Sequence, residues 1–372
     1  MFGNDYKFHQ KINLIMKNIF FHVILIIFLN SPLLSQTDTT LQIEEDYSLY
    51  DNLQFADKAA KNFCSNKIEG LSPSKLISFG YDFQGPQKLI ADTFLGNKSY
   101  EKNFNSVHGM RLSANVPVVS RNNLILQFNG NYMETIYENT QTNINSSELL
   151  SKAISNYGLR SLGLGTTIFK PIDDKKFLLF QGSADLNGDW KWDNLLPLNY
   201  LKYSAAFLYG VRKNDRKQWG IGLSRTYRAG ELNYIPVFLF NSTSVSNKWG
   251  TEILFPARVH VRRTFNARSM AFFGYELEGQ SYRLWNTPSF RSRDLEIRRS
   301  ELRIRLIYER SLKGFIWISI QGGYRINYSY NVDAIPNGND FYRGFFGEQP
   351  FVMQNKLTNP FYFNVSINLV SP

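Results

Sequence analysis

The chain ends in the sequence "FYFNVSINLVSP" (residues 361–372), and this stretch decides the fold class. Every second position is apolar: Phe361, Phe363, Val365, Ile367 and Leu369. The positions between them carry Tyr362, Asn364, Ser366 and Asn368. A β-strand points alternate side chains to opposite faces, so this strand has one apolar and one polar face. The apolar face must contact either a protein core or lipid.

The same alternation recurs from Leu76 onward, in segments separated by Gly, Asn, Asp and Pro clusters. Besides the closing strand, these segments lie near residues 76–83, 104–117, 122–136, 158–169, 177–190, 202–212, 218–228, 251–265, 269–284, 301–310 and 315–330. A further strand is conceivable at about Tyr234–Phe240, but it would make the total odd. A barrel with both ends on one side of a membrane needs an even number. We therefore expect about 12 membrane strands (10 to 14 fit the pattern) and interpret residues 229–250 as a long outside connection with its own β structure.

The connections between these segments alternate in length. Short ones lie near residues 120, 173–175, 214–216, 266–268 and 311–313, and long ones span about 84–103, 138–157, 187–200, 286–294 and 331–359. Short turns at one end and long loops at the other are typical of a single transmembrane antiparallel β-barrel of the outer membrane. A soluble lipid-binding barrel is the alternative fold, with its apolar wall turned inward.

Charged residues share the polar face of several strands near the C-terminus. We call this set the lumen cluster; it comprises Arg258, His260, Arg262, Glu276, Glu278, Glu301, Arg303, Arg305 and Glu309. Neighbouring strands bring such side chains within reach of one another. Because the opposite faces are rich in Ile, Leu, Phe and Tyr, we expect the apolar wall to face lipid and the charges to face a polar lumen.

The N-terminal region has the features of an exported protein. Residues 1–35 contain Lys17, an apolar run from Ile19 to Leu29 and a small residue, Ser35, at the expected cleavage point, which indicates a signal peptide, with Met16 as an alternative start. Residues 36–75 are interpreted as a polar periplasmic lead-in, and residues 76–372 as the barrel. The leader carries +2 of the formal charge of +11, which leaves +9 spread over strand faces. We expect no nucleic-acid partner, and the single Cys64 provides neither a disulfide nor a thiolate metal site.

Four segments carry a resemblance to a known family. They are "KWGTEILFPARVHVRRTF" (248–265), "YELEGQSYRL" (275–284), "LEIRRSELRIRLIYERSL" (295–312) and the closing strand. Together they resemble an uncharacterised family of outer-membrane β-barrels from Bacteroidota, a domain of unknown function. The resemblance covers residues 76–372 and implies the fold and an outer-membrane location, but no activity.

Two functions fit the charged lumen. The charges either pair with one another and fill a structural or surface barrel, or line a pore for a small polar or anionic solute. The loop 331–359 is a candidate plug or ligand contact through Asp340, Tyr342, Arg343, Phe345 and Phe346. The expected partners are outer-membrane lipids and the barrel-assembly machinery, although the chain ends in Val370-Ser371-Pro372 rather than in an aromatic residue.

Enzymatic and metal chemistry have little support in the sequence. An outer-membrane lipid hydrolase would need Ser106 and His108, with Asn105 nearby, but no third member is identified. The segment from Asp185 to Asp193 matches only the opening of a calcium loop. We therefore expect no enzyme activity, no cofactor and no metal.

Overall fold

The computed structural model describes residues 67–139, 148–227, 232–335 and 351–371. The leader, most of the lead-in and the five candidate plug residues, Asp340 to Phe346, lie outside the described residues.

Fourteen strands form one closed antiparallel barrel. They are β1 (Lys75–Gln84), β4 (Ser106–Arg121), β5 (Leu124–Glu138), β6 (Leu159–Pro171), β7 (Lys176–Gly188), β8 (Lys202–Asn214), β9 (Lys217–Thr226), β10 (Asn233–Thr243), β11 (Trp249–Phe255), β12 (Arg258–Asn266), β13 (Ser269–Arg283), β14 (Leu295–Lys313), β15 (Ile316–Ala334) and β18 (Phe361–Val370). Neighbours in chain order pair, except that β1 pairs with β4 and β18, and β15 with β18. The last strand thus closes the barrel against the first.

The strand number corrects two expectations. Residues 229–250 are not an outside connection, because β10 pairs along most of its length with β9. The segment 251–265 is not one strand but the hairpin of β11 and β12, which turns at Pro256 and Ala257. The two additional strands raise the expected twelve to fourteen, so the total stays even.

The apolar faces point outward and form a transmembrane belt. On β18, Phe361 is 75% exposed and Ile367 55%, whereas Asn364 and Asn368 on the other face are buried. Exposed large apolar side chains recur on most of the other barrel strands. Soluble monomers rarely expose so large an apolar surface, so the belt faces lipid.

A folded cap covers the end of the barrel with the long loops, which we call the loop rim. It contains the small sheet of β2 (Gln87–Ala91), β3 (Tyr100–Phe104) and β17 (Lys356–Leu357), the strand β16 (Phe351–Met353), and the helices α1 (Leu149–Tyr157) and α2 (Pro288–Arg291). Its core joins Leu89, Phe104 and Ile154 to Leu295 and Val332 from the upper ends of β14 and β15. No described helix is long and apolar enough to cross a membrane.

Residues 67–74 cross the opposite end, which we call the turn rim. Glu69 N donates to Asp215 O at 2.7 Å in the β8–β9 turn, and Ser72 Oγ donates to Glu252 Oε2 at 3.0 Å on β11. Those strands lie across the ring from β1, where the segment ends. Ile68 is buried. The end of the lead-in therefore passes beneath the lumen.

Candidate functional site

Ion pairs fill the middle of the lumen along β1, β14 and β15. Arg325, which is fully buried, binds the carboxylates of Asp82 and Glu301, the latter at 2.8 Å. Glu301 also accepts a hydrogen bond from Arg299 at 2.8 Å. The arginines and carboxylates alternate, so each buried charge has an opposite charge beside it, as burial requires.

Several polar contacts cross the lumen between strands that are not neighbours. Arg111 on β4 holds Glu278 on β13 in a bidentate pair, with N–O distances of 3.0 and 2.9 Å. Lys202 on β8 pairs with Glu296 on β14 at 2.9 Å. Planar bidentate pairs fix geometry as well as charge. These links connect the loop-rim parts of β13 and β14 to the opposite wall of the barrel.

The rest of the lumen cluster divides into smaller groups. Arg305 pairs with Glu276 at 2.5 Å, and its Nε donates to His260 Nε2 at 3.3 Å. The fully buried Arg262 pairs with Glu252 at 2.7 Å, beside residues 67–74.

Two predicted members lie apart from these groups. Glu309 pairs with Lys75 at 2.5 Å close to the turn rim. Arg258 is exposed at the end of β12, opposite Glu276 in register.

Sequence reasoning missed half of the network. Asp82, Arg111, Arg299, Arg325 and Glu252 were not assigned to the lumen cluster, although each lies on a polar strand face. A signal exists for Asp82, which alternates with Ser78 and Gly80 opposite exposed Phe79 and Tyr81. The partners across the lumen have no sequence signal, since Arg111 and Glu278 are 167 residues apart.

A chamber of about 380 Å³ remains inside the barrel. Most of its polar lining consists of uncharged amides and hydroxyls: Ser78, Ser113, Asn115, Asn129, Asn131, Ser161, Gln181, Ser183, Gln280, Gln321, Asn364 and Ser366. Most charged lining groups form ion pairs: Arg111 with Glu278, Glu276 with Arg305, and Lys75 with Glu309. Asp185 accepts a hydrogen bond from Ser183 Oγ at 3.0 Å. The chamber thus offers many neutral hydrogen-bonding groups.

An apolar pocket of about 150 Å³ adjoins this chamber. Its lining includes Leu179, Leu208, Ile235, Val237, Leu254, Pro256, Ala257 and Leu277. Gln181, Ser183 and Leu277 line both cavities. The lumen therefore has a polar compartment in contact with an apolar one.

The apolar pocket lies at a gap in the barrel wall, which we call the side opening. β10 pairs with β11 only from Phe238, so its residues 233–237 have no partner strand on that side. β13 continues past its last pair with β12, Glu276, to Arg283. Between these two edges lies only the short turn at Pro256 and Ala257. The wall is therefore lower here than elsewhere.

Above the side opening, β13 bypasses five strands, β12 to β8, to reach β7. Arg283 pairs in parallel with Gly188, and Asn187 Nδ2 donates to Gln280 Oε1 at 2.9 Å. The Asp189 carboxylate accepts hydrogen bonds from Trp285 N at 2.7 Å and from the next amide. Burial raises the pKa of Asp189 to about 6, against the opposing effect of these backbone donors.

The residues considered for hydrolysis and calcium make other contacts. His108 Nδ1 forms a hydrogen bond with Tyr81 OH at 2.7 Å, and His108 Nε2 forms one with Glu138 Oε1 at 3.0 Å. Ser106 Oγ donates to Glu138 at 2.6 Å, so Ser106 and His108 share a carboxylate partner. Asp189 caps a backbone turn, as described above. Among the described residues, no three His, Cys, Asp or Glu side chains are grouped to hold a metal ion.

Comparison with known proteins gives only distant likenesses. No family model and no curated protein matches the chain. The solved structures that resemble it include the toluene transporter TodX of Pseudomonas putida, with a TM-score of 0.33, 8% identity, and coverage of 84% of this chain and 96% of that one. OccAB4 of Acinetobacter baumannii has a TM-score of 0.27 and 6% identity, with coverage of 81% of this chain and 99% of that one. The outer membrane protease OmpT of Escherichia coli has a TM-score of 0.23 and 7% identity, with the same coverages of 81% and 99%. These likenesses are too distant to carry an argument about function.

Proposed function

We propose that the protein is an outer-membrane channel for small amphipathic molecules, closed along its axis and accessible through the side of its wall. The side opening next to the two-part cavity is the observation that carries this proposal. A polar pore would need a continuous axial path, and the cap and residues 67–74 cross that path at both ends. The lipid-facing belt supports the outer-membrane location, and the leader predicted from the sequence agrees with it.

The lining of the cavity supports an amphipathic rather than an anionic solute. The central arginines are neutralised by Asp82, Glu278 and Glu301, so they offer little free positive charge. The ligand's apolar part would contact Leu208, Val237 and their neighbours, and its polar part the amides and hydroxyls of the chamber. Binding sites commonly combine apolar walls with a few placed polar groups.

A reporter cysteine tests access through the side opening. In a chain with Cys64→Ser, Ser183→Cys places a thiol where the two cavities meet. The protein in nanodiscs is treated with apolar N-phenylmaleimide, and labelling is followed by mass spectrometry. We expect Ala257→Trp, at the floor of the opening, to slow labelling about 10-fold or more because a rate falls tenfold for each ~1.4 kcal/mol of added barrier.

Ala267→Trp is the matched control, since Ala267 lies in the β12–β13 turn at the opposite rim. It should leave labelling unchanged. Equal labelling of both variants would refute lateral access. A charged, water-soluble thiol reagent should label slowly, and a steady conductance of the unmodified protein in planar bilayers would contradict axial closure.

A further inference from the structure

Exposed basic side chains are concentrated at the turn rim. They are Arg121, Lys170, Lys175, Lys176, Lys213, Lys217, Lys248, Arg268, Arg310 and Lys313. The exposed acidic side chains at that rim, among the described residues, are Glu69, Asp174 and Asp215. Among the described residues, the turn rim therefore carries a clear excess of exposed positive charge, in addition to the charges that the sequence places on strand faces.

One part of this basic rim is concave. The turns at the ends of β12, β13 and β14 enclose an outward groove of about 800 Å³. Arg268 and Arg310 stand together there: Arg310 pairs in register with Ser269, and Ser311 N donates to Arg268 O at 2.8 Å. No described acidic side chain forms an ion pair with either guanidinium, so both are free to bind an external anion.

The groove continues into the lipid-facing belt. The outward stripe of β14 runs Ile304, Leu306, Tyr308 and then Arg310, so the belt ends in a cation. Phe265 and Tyr308 line the same groove, with ring centroids 6.4 Å apart. An apolar wall that ends in a groove lined by two arginines matches a lipid whose acyl chain lies along the belt and whose phosphate lies at the interface.

We propose that this groove is a binding site for an anionic phospholipid of the leaflet at the turn rim. The phosphate lies between Arg268 and Arg310, and an acyl chain packs on Phe265 and Tyr308. Arg is suited to this role because its planar donors match phosphate oxygens. In an outer-membrane barrel the short turns face the periplasm, so the leaflet at this rim is the one made of phospholipid.

Native mass spectrometry of the detergent-solubilised protein tests the site by titration with phosphatidylglycerol and, separately, phosphatidylcholine. We expect Arg268→Gln/Arg310→Gln to weaken phosphatidylglycerol binding about 30-fold, from the usual contribution of a basic residue to anionic lipid binding. The control Lys213→Gln/Lys217→Gln removes the same charge from the β8–β9 turn of the same rim and should change the affinity less than about 3-fold.

Two results would overturn the proposal. If both double variants lose affinity equally, the rim acts only as diffuse charge and the groove is not a site. If inorganic phosphate competes as well as the lipid itself, the acyl chain contributes nothing and the ligand is not a lipid. Heat-modifiable mobility on SDS gels verifies that each variant is a folded barrel.

Discussion

Arg325 is the residue at which the energetics of the lumen can be measured most directly. Its side chain is fully buried, contacts Asp82 and Glu301, and lies 4.6 Å from the ring centre of Tyr362. Arg325→Met keeps much of the volume and removes the charge. Two buried carboxylates then each lose one cationic partner.

The size of the effect follows from the partners that remain. Removing one member of a buried ion pair costs about 3–5 kcal/mol, because the other charge is left uncompensated. Here Asp82 keeps Arg111 at 3.5 Å, and Glu301 keeps Arg299 at 2.8 Å. We therefore expect the low end, a loss of about 3 kcal/mol in the free energy of unfolding.

Urea unfolding of the refolded barrel in detergent, followed by tryptophan fluorescence, measures this loss. Arg121→Met removes an exposed arginine at the turn rim and should change stability by less than about 0.5 kcal/mol. Asp82→Asn/Arg325→Met should be more stable than the sum of the single losses predicts, since the uncompensated carboxylate is gone. A loss below about 1 kcal/mol for Arg325→Met, or strict additivity in the double variant, would show that the network does not hold the barrel as described.

Three further predictions concern the wall and the bypass. A Cβ on Gly323 would lie 2.1 Å from a carbonyl oxygen of the neighbouring strand, whereas a Cβ on Gly130 would meet only a side chain at 3.8 Å. Gly323→Ala should therefore lower the yield of folded, heat-modifiable barrel, and Gly130→Ala should leave it unchanged. Phe363→Lys places a charge in lipid and should cost about 2 kcal/mol or more in urea unfolding, whereas Asn364→Lys faces the polar chamber and should cost less. Because the pKa of Asp189 is raised on folding, its contribution to stability is fully present below its unfolded pKa near 4 and is lost as pH rises through about 6. Amide exchange in the loop after β13 should accordingly slow from pH 7 to pH 5, after correction for intrinsic exchange, and Asp189→Asn should abolish this dependence.

Each of these predictions has a contrary outcome. Equal folding yields for the two glycine variants would mean that the strands can separate to admit a methyl group. Equal costs at the two neighbouring positions of β18 would place both faces in the same solvent. A pH dependence that survives Asp189→Asn would assign it to another group.

The membrane orientation of the strands was predictable because it depends only on local alternation. Exposed Phe361 and buried Asn364 occupy the faces that the closing sequence predicts. The strand number could not be predicted from alternation, for a geometric reason. Leu254 pairs with Arg258 across the β11–β12 turn, so both face the lumen, as they would if one strand continued through the turn. The alternation of apolar and polar residues therefore continues unchanged through this hairpin, and Pro256 is the only sequence signal of the turn.

That missed turn accounts for the second error as well. With β11 and β12 taken as one strand, β10 gave an odd total and was excluded, although its own pattern was sound. Pro236 on β10 and Pro256 in the turn both border the side opening, where a missing N–H costs no hydrogen bond to a neighbouring strand. These two prolines are thus located where the wall is incomplete.

The chemistry of the lumen follows from pairing that no local pattern reveals. From the sequence, the lumen cluster allowed either mutual pairing of the charges or a pathway for a small polar or anionic solute, because neither Asp82 nor the links across the barrel were assigned to it. With each arginine facing a carboxylate, the charges stabilise the closed interior, and the neutral amides and hydroxyls are left to meet a solute. Exposed positive charge at the turn rim lies outside the lumen, where we propose that Arg268 and Arg310 bind a lipid phosphate.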